Sequence, residues 1–359
     1  MAKLTITEFA HRLGVSVCTV NKALSGKPKV SEATRQRIIA EAERLGYRPN
    51  RMAQVLARNP VRLAYIHPAH FESFFGPFEV GVRVGGERLA DQNVSVSVHG
   101  LDPLRWDKLL LPTVRRLVRA GLSGLILAPI SGVDYQGLWD LLAEERIPLA
   151  QLGLEVLGSP AVLTVRQDTV LCGRMAAELL AQFSGPAAMM IGSRETVDHA
   201  EKIRGFMAEA DRRQMTVAAV CEHQDDEQLG YDLTRRLLRE HPEVRGLYLG
   251  TDNFCGIHRA LAEHGAGHLK VVATGLFPEV RQAMDQGLVH FALDQRMAEQ
   301  GELAVQQLHD LLSGRPPAAQ RVSVPPLIAV RSNIELLAGL AESRTPPFVP
   351  GKTGRKRPS

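Results

Sequence analysis

Cysteine is scarce in this chain: four in 359 residues, at positions 18, 172, 221 and 255, with no Cys-x-x-Cys pair. Such spacing argues against a zinc ribbon or a dithiol redox motif and leaves free thiols as the expectation. Long apolar runs are missing as well. None approaches the ~20 residues that a membrane-spanning helix requires, and the first helical pattern begins directly at the N-terminus, leaving no room for a signal peptide. A cytoplasmic protein with no membrane partner is expected. Catalytic signatures are also lacking, with neither a Gly-x-Ser-x-Gly elbow nor a His-Glu-x-x-His helix. Gly351-Lys352-Thr353 looks like the end of a phosphate loop, yet position 346 is proline where that loop needs glycine. Gly85-Gly86 lies inside a helical stretch and not after a strand, and the twelve histidines are scattered. Neither an enzyme nor a cofactor or metal is expected.

What is present is ordinary globular material, 45% hydrophobic and 23% charged, with length enough for two or three domains and a large core. The charge is unevenly placed. Residues 1–62 hold twelve Lys and Arg against four Glu, a net +8, while the whole chain is +4, which leaves −4 for the remainder. A basic head on a mildly acidic body is the electrostatic footprint of phosphate binding.

Within that head, Thr5 and Glu8 have the form of a capping box, and Ile6, Phe9, Ala10 and Leu13 follow at helical spacing. Gly14 stops this helix and Ser16 caps the next. Two short helices joined by a glycine-containing turn make a helix-turn-helix, whose second helix meets base edges in the major groove. Val20 and Leu24 are expected to face inward, leaving Val17, Cys18, Asn21 and Lys22 outward. Ser31 caps a third helix that turns Ile38, Ala42 and Leu45 inward before Gly46. A bundle with a merely solvated polar face is the plainer alternative, and the charge balance argues against it. From Tyr47 to Ala57, Pro49 sets an extended lead, Asn50 can cap, and seven or eight good helix formers run to Asn59-Pro60. So short a helix is marginal in water unless something packs on it.

Val15-Ser16-x-x-Thr19-Val20, Lys29-Val30-Ser31-Glu32-Ala33-Thr34-Arg35, Gly46-Tyr47-Arg48-Pro49-Asn50 and Ala53-x-x-Leu56-Ala57, in this order, resemble the lactose-repressor (LacI/GalR) family of bacterial transcription regulators. The resemblance implies that Val17, Cys18 and Lys22 read bases and that Ser16, Thr19 and Asn21 hold phosphates. It implies further DNA contacts from Thr5, Ser31, Thr34, Tyr47, Asn50, Arg51, Ala53 and Gln54, and a minor-groove wedge by Leu56 with its partner-subunit copy. An apolar wedge of this kind replaces a lost base stack and kinks the duplex. Val17 and Cys18 are small and nearly apolar, so they suit contact with a thymine methyl better than a bidentate hydrogen bond.

After the hinge, short apolar runs alternate with amphipathic stretches. Strands are expected at 61–66, 94–98, 123–128, 147–152 and 162–165, and near 186–191, 216–221, 245–249, 270–274 and 289–293. Helices near 77–91, 106–120, 134–145, 169–183, 198–213, 227–240, 253–264 and 278–286 separate them. Alternation at this spacing calls for parallel sheets with right-handed crossovers. Ten or more strands divide best into two doubly wound α/β lobes, with a ligand cleft at the carboxyl ends of the strands. The expected organisation is a helix-turn-helix domain over 1–48, a hinge helix over 49–60 and a two-lobed core over 61–344. Lobe 1 takes about 61–165 and 294–324, and lobe 2 takes about 166–293 and 325–340. A disordered basic tail spans 345–359. The family resemblance implies the same core, similar to periplasmic sugar-binding proteins of type I.

Cleft residues follow from that resemblance position by position. Asp168, opening Asp168-x-x-x-x-Gly173, matches a position that bonds sugar hydroxyls, though it equally reads as a helix N-cap. Phe74, Phe75 and Phe78 fall where relatives stack rings on a sugar face, with core packing as the alternative for each. Glu79, Asp252 and Gln295 also match cleft positions, and Trp106 reads better as helix packing. Two departures stand out. Lys202 replaces the usual arginine before Gly205-Phe206, giving a point charge in place of a planar fork. Gly275 stands where relatives carry an aspartate that accepts two hydroxyl hydrogen bonds. The expected partners are a pseudo-palindromic DNA operator, a sugar or polyol effector and a second copy of the chain, with a tetramer left open. The leading expectation is a repressor whose operator binding a small molecule controls. Its alternative is a DNA-binding regulator whose cleft no longer senses and which acts through a protein partner or constitutively.

Overall fold

Six buried side chains, two from each of three helices, organise the head. The computed structural model describes residues 6–24, 30–45, 60–69, 72–315 and 319–337. Helix α1 (Ile6–Leu13) buries Phe9 and Ala10, and Gly14, at φ +64°, closes it by donating its N–H to His11. Ser16 Oγ then accepts the Thr19 N–H at 3.1 Å ahead of α2 (Val17–Leu24). Ser31 does the same for Thr34 at 3.3 Å ahead of α3 (Glu32–Arg44). Val20, Ala23, Ile38 and Ala42 complete the small core. Two of the head's arginines serve the fold: Arg37 donates to Leu13 O at 3.2 Å and Arg35 to Ala23 O at 3.4 Å, capping carbonyls near the ends of α1 and α2. One expectation is corrected here. Leu24 packs half-buried against the core as expected, with Ala23 buried beside Val20, but Val17, expected outward, packs half-buried against the same core. Thr5, Tyr47, Asn50, Arg51, Ala53, Gln54 and Leu56, all but the last residue of the hinge helix, and the tail over 345–359 lie outside the described residues.

The core carries two six-stranded sheets. The first orders β11-β5-β4-β3-β1-β2, from β1 (Val61–Pro68), β2 (Val94–Leu101), β3 (Gly124–Leu127), β4 (Leu149–Leu152), β5 (Leu163–Gln167) and β11 (Arg321–Val324). The second orders β12-β10-β9-β8-β6-β7, from β6 (Ala187–Ile191), β7 (Val217–Glu222), β8 (Gly246–Leu249), β9 (Lys270–Thr274), β10 (Phe291–Asp294) and β12 (Leu327–Ala329). Strands β3, β4, β5, β6 and β8 are buried along their whole length, because helices cover both faces. The expected strand and helix alternation is present. The last strand departs from a purely parallel scheme: β12 pairs antiparallel with β10, its register placing Leu327 against Asp294. It arrives through Pro325-Pro326 directly from the other sheet, with no crossover helix to turn it.

Helices α4 (Glu72–Arg88), α5 (Trp106–Arg119) and α6 (Gln136–Glu144) serve the first lobe, joined by α12 (Met297–Leu312) returning from the second. The second lobe carries α7 (Thr169–Leu180), α8 (Val197–Arg212), α9 (Glu227–Glu240), α10 (Cys255–Glu263) and α11 (Pro278–Asp285). The chain passes between lobes after β5, after β10 and after β11. Helices α7 and α8 touch backbone to backbone, since a Cβ at Gly173 would stand 2.8 Å from Phe206 N and one at Gly205 2.9 Å from the Val170 carbonyl carbon. No described helix is long and apolar enough to cross a membrane.

Candidate effector cleft

The carboxyl ends of the strands present the side chains expected to meet a ligand. From lobe 1, Phe74, Phe75, Phe78 and Glu79 lie on α4. Phe75 and Phe78 are 5% and 1% exposed, and a Cβ at Gly153 would stand 2.8 Å from Phe78 Cζ. These two are core residues, a different placement from the ligand face expected for them. They hold Phe74 edge-on, at centroid distances of 4.9 and 5.6 Å. Phe74 itself is half-buried and stands 6.5 Å from Phe277 of lobe 2, the ring planes 30° apart. Glu79 is occupied by Arg83, with Nε at 2.8 Å, and by His67, with Nε2 at 3.5 Å. Trp106 is buried with Ile66 and Leu110, as helix packing predicts.

From lobe 2, Asp168 Oδ1 accepts the Leu171 N–H at 2.9 Å, so the N-cap role is filled while the residue stays half-buried. Lys202 is buried on α8 and donates from Nζ to Gly250 O at 3.2 Å. Asp252, after β8, accepts from Gln295 Nε2 at 2.8 Å, and Gln295 follows β10. Burial lifts the Asp252 carboxyl above its usual range, against the pull of Lys202 and Gln295. Asp252, Gln295 and Lys202 therefore come together at the strand ends, whereas Glu79 is engaged by Arg83 and His67 and Asp168 caps its own helix. Among the described residues no group of three or more His, Cys, Asp or Glu could hold a metal ion.

A further group was missed from the sequence. Arg166 on β5 is 1% exposed and reaches Glu155 at 3.2 Å, Asp198 at 2.7 Å and Glu201 at 2.6 Å, as well as Thr169 Oγ1 at 2.9 Å. Glu155 follows β4 in lobe 1, while Asp198 and Glu201 belong to α8 in lobe 2, so one guanidinium ties the lobes together. Arg321 on β11 joins through Glu155 and, at 3.9 Å, Glu201. The strand was expected to end at 165, which left Arg166 outside it; it runs to Gln167, and an arginine inside a fully buried strand must find carboxylates. Beside this cluster a cavity of ≈ 190 Å³ is lined by Gln151, Glu155, Ser159, Thr164, Gln320 and Arg321, and none of the expected effector residues borders it.

His199, on the same helix as Lys202, illustrates the electrostatics. Burial, reinforced by Lys202, pulls its imidazole down to about 3. It is neutral at physiological pH, and no His199 titration is expected in an NMR pH series from 8 to 5. Because the unfolded imidazole takes up its proton near pH ~6.5 and the folded one does not, this group lowers stability as pH falls through that value. An imidazole that protonates near pH 6.5 in the folded protein would contradict its burial.

Comparison with known proteins places these features. Residues 112–316 match the model of the periplasmic binding protein domain, and residues 5–50 match the lacI family of bacterial regulatory proteins. The transcriptional regulator DegA of Bacillus subtilis is 25% identical over 206 residues, a match spanning 57% of this chain and 60% of DegA. The ribose import binding protein RbsB of Salmonella typhimurium is 23% identical over 248 residues, spanning 68% of this chain and 83% of RbsB. Among solved structures, a periplasmic ribose transporter component from Conexibacter woesei superposes with a TM-score of 0.69 at 21% identity, covering 80% of this chain and 98% of that one. That last likeness shows the fold.

Proposed function

The chain belongs to the periplasmic binding protein domain family and carries a head of the lacI family of bacterial regulatory proteins, and from that premise we propose that it is a sequence-specific transcriptional regulator, a repressor in its ordinary mode, whose hold on its operator is set by a small molecule in the interlobe cleft. The observation that carries this reading is the joining of the two parts in one chain, a helix-turn-helix with capped α2 and α3 ahead of a core whose polar side chains converge at the strand ends. Two copies on a two-fold axis would read a pseudo-palindromic site in the cytoplasm. Ligand closing the lobes would alter the spacing of the two hinges, so that one bistable element links both sites. Asp168, Lys202, Asp252, Gln295 and Phe74 are the proposed effector contacts, and Ser16, Cys18, Thr19, Asn21, Lys22, Ser31 and Thr34 the proposed DNA contacts within the described head.

Protection of genomic fragments by the purified protein, with and without candidate metabolites, tests the reading directly. Protection of discrete palindromic sites supports it. Uniform, salt-erased affinity for every fragment would end it. On the isolated operator, Lys22→Ala is expected to weaken binding by about 1–3 kcal/mol, roughly 5- to 150-fold, if Lys22 reads a guanine. Cys18 substitutions should instead change which bases are preferred. A Lys22→Ala loss that is equal on operator and random DNA would place this lysine on a phosphate.

A further inference from the structure

We propose that the cavity beside the Arg166 cluster is a second small-molecule site, separate from the interlobe cleft, and that its ligand is a small uncharged polyol. The cavity exists because one crossover lacks a helix. In the first sheet α4, α5 and α6 carry the chain from β1 to β2, β2 to β3 and β3 to β4, whereas residues 153–162, between β4 and β5, run as turns and bends. Gln151 stands in register with Leu127 on one side and Thr164 on the other, and Thr164 with Arg321. In-register neighbours on parallel strands turn their side chains to one face. Over Leu127 that face is filled from α5 and α6 by Trp106, Leu110, Leu138 and Leu142. Over β4, β5 and β11 the loop covers it instead, and a space of ≈ 190 Å³ remains between Gln151, Thr164 and Arg321 on the sheet and Glu155, Leu157 and Ser159 on the loop.

The floor of this space calls for a partner. Gln151 is 1% exposed, and its Nε2 has no hydrogen-bond partner among the described residues. An unpaired donor at this depth is costly unless something in the cavity accepts from it. Thr164, 5% exposed beside it, and Ser159 bring hydroxyls, which both donate and accept. Charge is already balanced. The one carboxylate of the lining, Glu155, is paired with its one guanidinium, Arg321, and also holds Arg166 at 3.2 Å. A ligand of net charge would have to break that pair, whereas hydroxyl groups answer an amide and two hydroxyls without disturbing it. No aromatic ring borders the space, so a flat ring has nothing to stack on. The volume corresponds to about six waters at roughly 30 Å³ each, which a chain of about four or five hydroxyl-bearing carbons would displace while replacing their hydrogen bonds.

Calorimetric titration of the full-length protein with erythritol, xylitol and D-gluconate tests this. At least one of the two uncharged polyols is expected to bind saturably, and D-gluconate at least tenfold more weakly. Gln151→Leu keeps the bulk of the side chain and removes the unpaired amide, so its urea midpoint should not fall while polyol binding weakens tenfold or more. Thr164→Val, which keeps the shape and loses the hydroxyl, should weaken binding as well. Asp252→Asn, in the interlobe cleft, should leave it within twofold. Polyol binding that survives both Gln151→Leu and Thr164→Val, or that Asp252→Asn abolishes, puts the ligand elsewhere and overturns the proposal. D-gluconate binding as tightly as either polyol overturns the uncharged class. Heats that rise only linearly with all three probes leave the cavity to water and overturn the site. None of these results bears on operator protection, so the proposal falls without the regulator reading.

Discussion

Arg166→Ala is expected to cost about 3–5 kcal/mol of folding stability, the range typical when a buried charge loses its partner. The native guanidinium, 1% exposed, holds Glu155, Asp198 and Glu201 between 2.6 and 3.2 Å. Its removal leaves Glu155 with Arg321, and leaves Asp198 and Glu201 with only the more distant help of Arg321, of Lys202 beside Asp198 and of Arg204, 3.9 Å from Glu201. Arg166→Lys should recover only part of the loss, because a point charge cannot serve three acceptors as the planar fork does. The loss should also depend on pH. In the native protein burial raises the Asp198 carboxyl. Burial also pushes Glu201 upward, but Thr169 and Arg166 together carry it below its usual value. A raised carboxyl contributes stability at low pH that fades as pH rises through it, and a depressed one contributes stability that fades as pH falls. Within this pair the two slopes oppose. Without Arg166 both carboxyls rise, so the deficit of the variant should be smaller at pH 5 than at pH 8. Urea unfolding at the two pH values measures it. A deficit below ~1 kcal/mol at pH 8, or one that grows toward acid, would show that the cluster contributes little to holding the lobes.

The architecture was legible in the sequence because its signals are local and repeated. Most buried strands of the core are short apolar runs, such as Ala187–Ile191 or Gly246–Leu249, and the amphipathic stretches between them set the crossovers. The head was legible for the same reason, with Gly14, Ser16 and Ser31 marking its boundaries. Where tertiary contact decides, the sequence was less informative. Val17 packs on the head's core along with Leu24 because α2 also buries Ala23, a width of apolar face that no count of apolar positions reveals. The absence of a side chain at 275 was visible, but that Phe277 fills the space was not, since it depends on how the chain turns after β9. Arg166 was passed over because its partners lie 11, 32 and 35 positions away along the chain. Phe75 and Phe78 resembled ligand residues because an aromatic ring satisfies a core and a sugar face equally well. Burial alone separates the two roles.

Gly205→Ala is expected to destabilise the protein by about 3 kcal/mol, near the upper end for overpacking, where one added carbon meets backbone that cannot give way. A Cβ at 205 would stand 2.9 Å from the Val170 carbonyl carbon and 3.2 Å from Arg174 N, with the carbonyl oxygen nearer still. Only separation of α7 from α8 relieves this, and Gly173 on the facing helix leaves the same want of space from the other side. Lys202 lies one turn before Gly205 and depends on the position of α8 to reach Gly250 O. The same shift should therefore loosen the proposed cleft, which a purely local defect would not do. Gly267→Ala provides the comparison. It has no atom within 4 Å of its would-be Cβ and should change stability by no more than ~0.5 kcal/mol. Urea unfolding of both variants, with ligand titration of Gly205→Ala, separates the possibilities. If Gly205→Ala unfolds at the native urea midpoint, the two helices do not pack as closely as described, and the position assigned to Lys202 loses its support.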